Sequence, residues 1–163
     1  MPEPFAPRVL TRGDRLKPGV AVPRRIPRVL AMVDDGEFAD DGRLRLAAAL
    51  ASPRNPLTAR VIVNRVWQQH FGTGLVSTAD DFGATGERPS HPELLDHLAA
   101  WFMAKGWSLK ALHRYLLTSA AWRQSSQPRA EALEKDPGNR LLWRMSPRRI
   151  DFEAMRDGLL RVA

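Results

Sequence analysis

Apolar residues recur with a helical period over much of this chain. At about 100° per residue, Leu94, Leu95, Leu98, Trp101 and Phe102 share one sector of about 120° on a helix over 91–105. Leu109, Leu112, Leu116, Leu117 and Ala120 do the same over 109–122, and Phe152, Met155, Leu159 and Val162 over 152–162. Each such face wants an apolar partner, so the spacing predicts that these helices pack together. Residues that start and stop helices coincide with the periodic segments. Asn55-Pro56 reads as an N-cap followed by proline at the first helical position, and Gly72 as the stop. Ser90-His91-Pro92-Glu93 has the form of a capping box, with Gly106 ending that helix. Ser108 and Asp151 stand where caps belong, and Arg43–Ala51 reads as a short helix.

The helix over 55–71 has a different pattern. Leu57, Val61, Ile62, Val63, Val66, Trp67 and Phe71 nearly surround it, which predicts a central, buried helix with Trp67 and Phe71 in the core. Arg60, Asn64 and Gln68, spaced i, i+4, i+8, form a polar row along it. A buried polar group left unpaired costs about 1–3 kcal/mol. The row therefore predicts partners in the long connection 73–89, with Asn64 a structural hydrogen-bonding residue.

Upstream the helical signal fades. Pro2, Pro4, Pro7, Pro18, Pro23 and Pro27 forbid a long helix, and Val9-Leu10-Thr11 and Val20-Ala21-Val22 read as extended. Asp34, Asp35, Glu37, Asp40 and Asp41 form an acidic stretch beside this basic arm, which suggests local charge pairing or a solvated loop. The reading is a mainly α protein. A proline-rich basic arm and acidic loop cover 1–42, and a small multi-helix domain covers 43–163.

Composition narrows the chemistry. The 163 residues include no cysteine, which excludes disulfides, zinc–thiolate sites, iron–sulfur clusters and covalent c-type haem in this chain. No apolar run reaches the roughly 18 residues of a membrane span, and the N-terminus lacks the apolar region of a secretory signal. Net charge is +7, and 21 of the 25 basic residues are arginine. Guanidinium groups suit phosphate or carboxylate recognition, although coding bias alone also raises arginine and alanine together.

Several residues invite functional readings. His70 and His91 flank Asp80 and Asp81, and two imidazoles with two carboxylates are a divalent-metal donor set if the loop folds back. No tight ligand spacing such as HExxH accompanies them. His113 lies on an apolar stripe and reads as a core histidine, and His97 as a surface one. Asp81-Phe82-Gly83 matches a kinase tripeptide without the other kinase motifs. Here Phe82 reads as a core plug, Gly83 as a turn, and Asp81 as an acceptor for backbone groups or Arg65. Arg12-Gly13-Asp14 reads as a turn. Ser90 and Glu93 read as helix-capping residues. Arg140, Arg144, Arg148 and Arg149 surround Trp143, a composition able to contact phosphate and stack a base, yet no nucleic-acid motif occurs.

The runs NPLTARVIVNRVWQQHFGTGLVSTADDFGATGERPSHPELLDHLAAWF (55–102), GWSLKALHRYLLTSAAWRQSS (106–126) and DPGNRLLWRMSPRRIDFEAMRDGLL (136–160) closely resemble domain of unknown function 1553, the planctomycete secreted domain. The upstream RVLTRGDRLKPGVAVPRRIPRVL (8–30) fits as well. The resemblance implies the C-terminal part of a large secreted protein, with a cytochrome-c-like haem domain and a second uncharacterised domain upstream. It implies no cofactor in this chain and carries over no activity. The helical pattern runs to the last residue without a cap, so the chain reads as a piece of a longer polypeptide.

The leading expectation is a helical accessory or interaction domain of an extracytoplasmic, cytochrome-associated protein, partnered by its upstream domains or another protein. A second is a hydrolytic or metal-dependent site that uses His70, Asp81, His91 and Arg65 and is shared with an upstream domain. A third is nucleic-acid binding through the arginine-rich surface, which the family resemblance disfavours.

Overall fold

A computed structural model describes residues 7–28, 36 and 42–163. The chain divides into two compact units, Met1–Thr58 and Ala59–Ala163. The acidic stretch at 34–41 lies outside the described residues, apart from Gly36, and with it the charge pairing expected there.

In the first unit, β1 (Arg8–Leu10) and β2 (Pro18–Ala21) form an antiparallel hairpin with Arg8 opposite Ala21 and Leu10 opposite Pro18. The unequal count leaves a bulge. The Arg12-Gly13-Asp14 segment is the turn: Arg12 and Gly13 have φ of 53° and 78°, and the Asp14 carboxylate accepts the Leu16 N–H at 2.9 Å. α1 (Arg43–Leu50) follows, its alanines supplying helix propensity.

The expected helix start at Asn55-Pro56 is corrected. Asn55 is buried, its Oδ1 accepts Leu57 N–H at 3.0 Å, and its Nδ2 donates to the Leu50 carbonyl at 3.3 Å. Thr58 Oγ1 donates to the same carbonyl at 2.7 Å. These side chains hold a turn at the end of α1, and α2 (Thr58–Phe71) begins only after it.

The second unit packs around α2. Val63, Val66, Trp67 and Phe71 meet Leu75 and Val76 of the following connection, Leu95, Leu98 and Phe102 of α3 (Pro92–Ala104), and Leu112 and Leu116 of α4 (Leu109–Leu117). Trp67 and Phe71, one turn apart, stack with ring centroids 3.9 Å apart. Between α3 and α4, Trp101 stacks on Tyr115 at 4.6 Å. Gly72 and Gly106 take φ of 91° and 65° and end α2 and α3, a conformation that glycine adopts without Cβ strain.

The expected helix over 109–122 is two helices. Ser119 has φ −67° and ψ 152°; its Oγ donates to the Leu116 carbonyl at 2.6 Å and accepts from Trp122 N–H at 3.2 Å. It closes α4 and caps α5 (Ala120–Arg123). α6 (Ala130–Lys135) was not expected from periodicity and buries nothing.

α7 (Phe152–Val162) begins at the expected cap, with Asp151 Oδ1 accepting Ala154 N–H at 3.0 Å. The expectation that its stripe packs on the other helices fails: Phe152, Met155, Leu159 and Val162 are 68%, 48%, 66% and 90% exposed. No helix among the described residues is long and apolar enough to cross a membrane.

Burial of Trp67 at 3% exposure sets a measurable cost. Trp67→Ala should lose about 3–5 kcal/mol of unfolding free energy in urea titration. A loss below about 0.5 kcal/mol, the range of surface changes, would contradict its place in the core.

Candidate functional site

The polar row on α2 determines how the chain continues after it. Asn64 is fully buried, and its amide bonds twice to one residue: Oδ1 accepts Val76 N–H at 2.8 Å, and Nδ2 donates to the Val76 carbonyl at 3.0 Å. This two-point contact imitates a strand pair and draws residues 74–76 against α2. Gly74 makes the approach possible, because a Cβ there would stand 2.7 Å from Asn64 Nδ2 and 2.5 Å from the Val76 carbonyl oxygen. Arg60 at the other end of the row pairs instead with Asp96 of α3 at 2.7 Å.

The rest of the connection folds on itself. Asp81 Oδ1 accepts Gly83 N–H and Oδ2 accepts the Thr85 hydroxyl, both at 2.8 Å. Thr78 Oγ1 donates to the Asp81 carbonyl at 2.8 Å and accepts Glu87 N–H at 3.0 Å. The two hydrogen bonds, Thr85 first, hold the Asp81 carboxyl below its ordinary range. Gly86 leaves no room for a side chain, since its Cβ would lie 2.1 Å from the Asp81 carbonyl oxygen. Phe82 packs against the hydrophobic core. Arg65 pairs with Asp80 at 3.0 Å rather than with Asp81, and both side chains are largely exposed.

The capping-box reading of Ser90 and Glu93 is corrected. Pro92 occupies the first position of α3 and puts His91 at the N-cap, with no side-chain capping bond. Ser90 is thus one residue too early. Its N–H and hydroxyl both reach the Leu75 carbonyl, at 2.8 and 3.3 Å, and His91 Nδ1 shares a 3.0 Å hydrogen bond with Ser90 Oγ.

At the other end of α2, His70 Nε2 and His113 Nδ1 share a hydrogen bond at 2.7 Å. Trp122 stands edge-on to His70, with ring centroids 5.5 Å apart. Arg148 donates to the Gln69 carbonyl and, at 3.1 Å, to the His70 carbonyl. It thereby supplies a cation where the helix dipole favours one. Burial first, then the neighbouring His113 and Arg148 charges, hold the His70 imidazole below its ordinary value.

The structure thus gives His70, Asp80, Asp81 and His91 separate partners: His113, Arg65, the Gly83–Thr85 turn and Ser90. Among the described residues no group of three or more His, Asp or Glu side chains is arranged to hold a metal ion. The residues missed by sequence reasoning are Gly74, Gly86, His113 as a polar partner, and Arg148. Arg148 lies 78 residues from its acceptor at His70 and leaves no local signal.

These features define a small helical domain with one central helix, a connection tied to it by side-chain hydrogen bonds, and an uncovered terminal amphipathic helix. The chain belongs to the PSD1 family, Protein of unknown function (DUF1553), whose model matches residues 42–163. No curated protein and no solved structure matches the chain.

Asn64→Leu keeps the number of side-chain heavy atoms but strands two buried backbone groups of Val76. It should cost at least about 1–3 kcal/mol in urea denaturation, and an unchanged midpoint would contradict the role of the amide. The lowered His70 value has a defined sign. An unfolded histidine takes up a proton near pH 6.5 and the folded one only at lower pH. The contribution is therefore full above about pH 6.5 and is lost as pH falls through the folded value. Melting temperature should decline from pH 7.5 to 5.5, less steeply in His70→Gln. Parallel curves for the two proteins would contradict the assignment.

Proposed function

We propose that the domain is a helical interaction module that docks, through the apolar face of α7, onto another part of a larger extracytoplasmic, cytochrome-associated protein. The observation that carries the proposal is the uncovered stripe of Phe152, Met155, Leu159 and Val162. Its 3-4-3 spacing is that of a helix seam made for a partner. Full burial of such side chains stabilises by about 1.5–3 kcal/mol each, so four supply enough gross energy for a specific contact. The extracytoplasmic setting and the upstream haem-bearing neighbour enter through the family resemblance, and in this reading the domain needs no cofactor of its own. The separate engagement of His70, Asp81, His91 and Arg65 favours docking over a shared catalytic site.

The test uses Leu159→Asp and the region that precedes this domain in the longer polypeptide, supplied as a separate chain. The variant should keep the wild-type melting temperature, because α7 adds nothing to the core, and should weaken association by about tenfold or more, as loss of one buried leucine at an interface does. A melting temperature lowered by several degrees would place the stripe inside the domain. Undiminished association would move the docking surface elsewhere.

A further inference from the structure

Within the second unit, a cavity of about 260 Å³ opens between the end of α2, the start of the connection and the turn around residue 140. Trp67, Phe71, Leu75 and Leu142 supply its apolar lining. Among the described residues, Arg140 is the one ionisable lining residue, and none of the lining residues is a carboxylate. Thr73 and Ser77 also line it. The volume is below the roughly 300–1,000 Å³ of a drug-sized pocket. It suits one ring or branched side chain with one polar head.

The segment that carries Arg140 is held in place from several sides. The Asp136 carboxylate accepts the N–H groups of Arg140 and Leu141 at 2.9 and 2.7 Å. Buried Asn139 donates to the Arg144 carbonyl and to Ser146 Oγ, both at 2.9 Å. Asn139 and Leu142, both lining residues, have φ of 53° and 56°. A left-handed leucine is strained backbone, and such strain gathers where a fold fixes a binding geometry. The Arg140 guanidinium meets Glu87 at 3.3 Å with both side chains more than half exposed. An exposed pair of this kind is weak, and a ligand anion can take the place of Glu87.

We propose that this cavity binds a carboxylate borne on a small apolar body, with the body against Trp67, Phe71 and Leu142 and the carboxylate on Arg140 in place of Glu87. A free arylalkanoic acid and the C-terminal residue of a peptide share this chemistry. Guanidinium–carboxylate bonding is charge-assisted and directional, which makes the acid, and not its neutral analogue, the ligand.

The probes are 3-phenylpropionate, N-acetylphenylalanine, N-acetylphenylalaninamide and 3-phenylpropanol, titrated at low salt against the whole chain and followed by amide chemical shifts. The two acids should shift Leu75, Ser77 and Asn139–Leu142 saturably and bind about tenfold or more tighter than the neutral pair. Arg140→Gln should bring the acids down to the neutral level, and Glu87→Gln should tighten them by removing the competing anion. Tighter binding of N-acetylphenylalanine assigns a peptide terminus, and tighter binding of 3-phenylpropionate assigns a free acid; either supports the proposal. Equal binding of acids and neutral analogues, no change in either variant, or shifts confined to other residues would overturn it.

Discussion

The contact on which this fold most depends is the pair of hydrogen bonds between the Asn64 side chain and the backbone of Val76. α2 buries Ala59, Val63, Val66, Trp67 and Phe71, and the chain leaving it covers part of that buried side with backbone. Backbone brings N–H and C=O groups that cannot be buried unpaired. A single asparagine amide answers both, and Gly74 lets the strand come close enough. From there Leu75 and Val76 join the core, and the Leu75 carbonyl receives Ser90 just ahead of α3. The residues that line the cavity at 73–77 stand where they do because this contact fixes them.

Arginine is spread over many local tasks instead of one binding face. Arg60 ties α2 to α3 through Asp96, Arg65 meets Asp80, Arg140 meets Glu87, and Arg148 meets the carbonyls at the end of α2. Arg129 and Arg144 lie over the ring of Trp143. These contacts are mostly exposed and individually weak. α7, by contrast, presents an apolar stripe to solvent.

The sequence made visible what is decided locally. Ser108 and Asp151 cap the helices they were expected to cap, and the stripes of α3 and α4 point into the core through Leu95, Leu98, Phe102, Leu112 and Leu116. Asn64 stood out because a buried amide must be satisfied. Ser90 misled because Pro92 sets the cap one residue later. The break at Ser119 was hidden because the apolar stripe continues in phase across it, while a hydroxyl redirects the backbone. The His70–His113 bond joins residues 43 apart, a separation that periodicity cannot bridge. The stripe of α7 showed that a face wants cover, but amphipathicity does not say whether the cover lies in the same chain.

Hydrogen exchange at the Val76 amide tests the central contact most directly. This residue lies in a connection, outside any helix or strand, and would ordinarily exchange through small local openings. With its N–H held by buried Asn64, Val76 should exchange as slowly as Leu98 and Leu112 in the core helices, and only through global unfolding. Exchange at the rate of exposed loop positions such as Ala84, while Leu98 and Leu112 stay protected, would contradict the account.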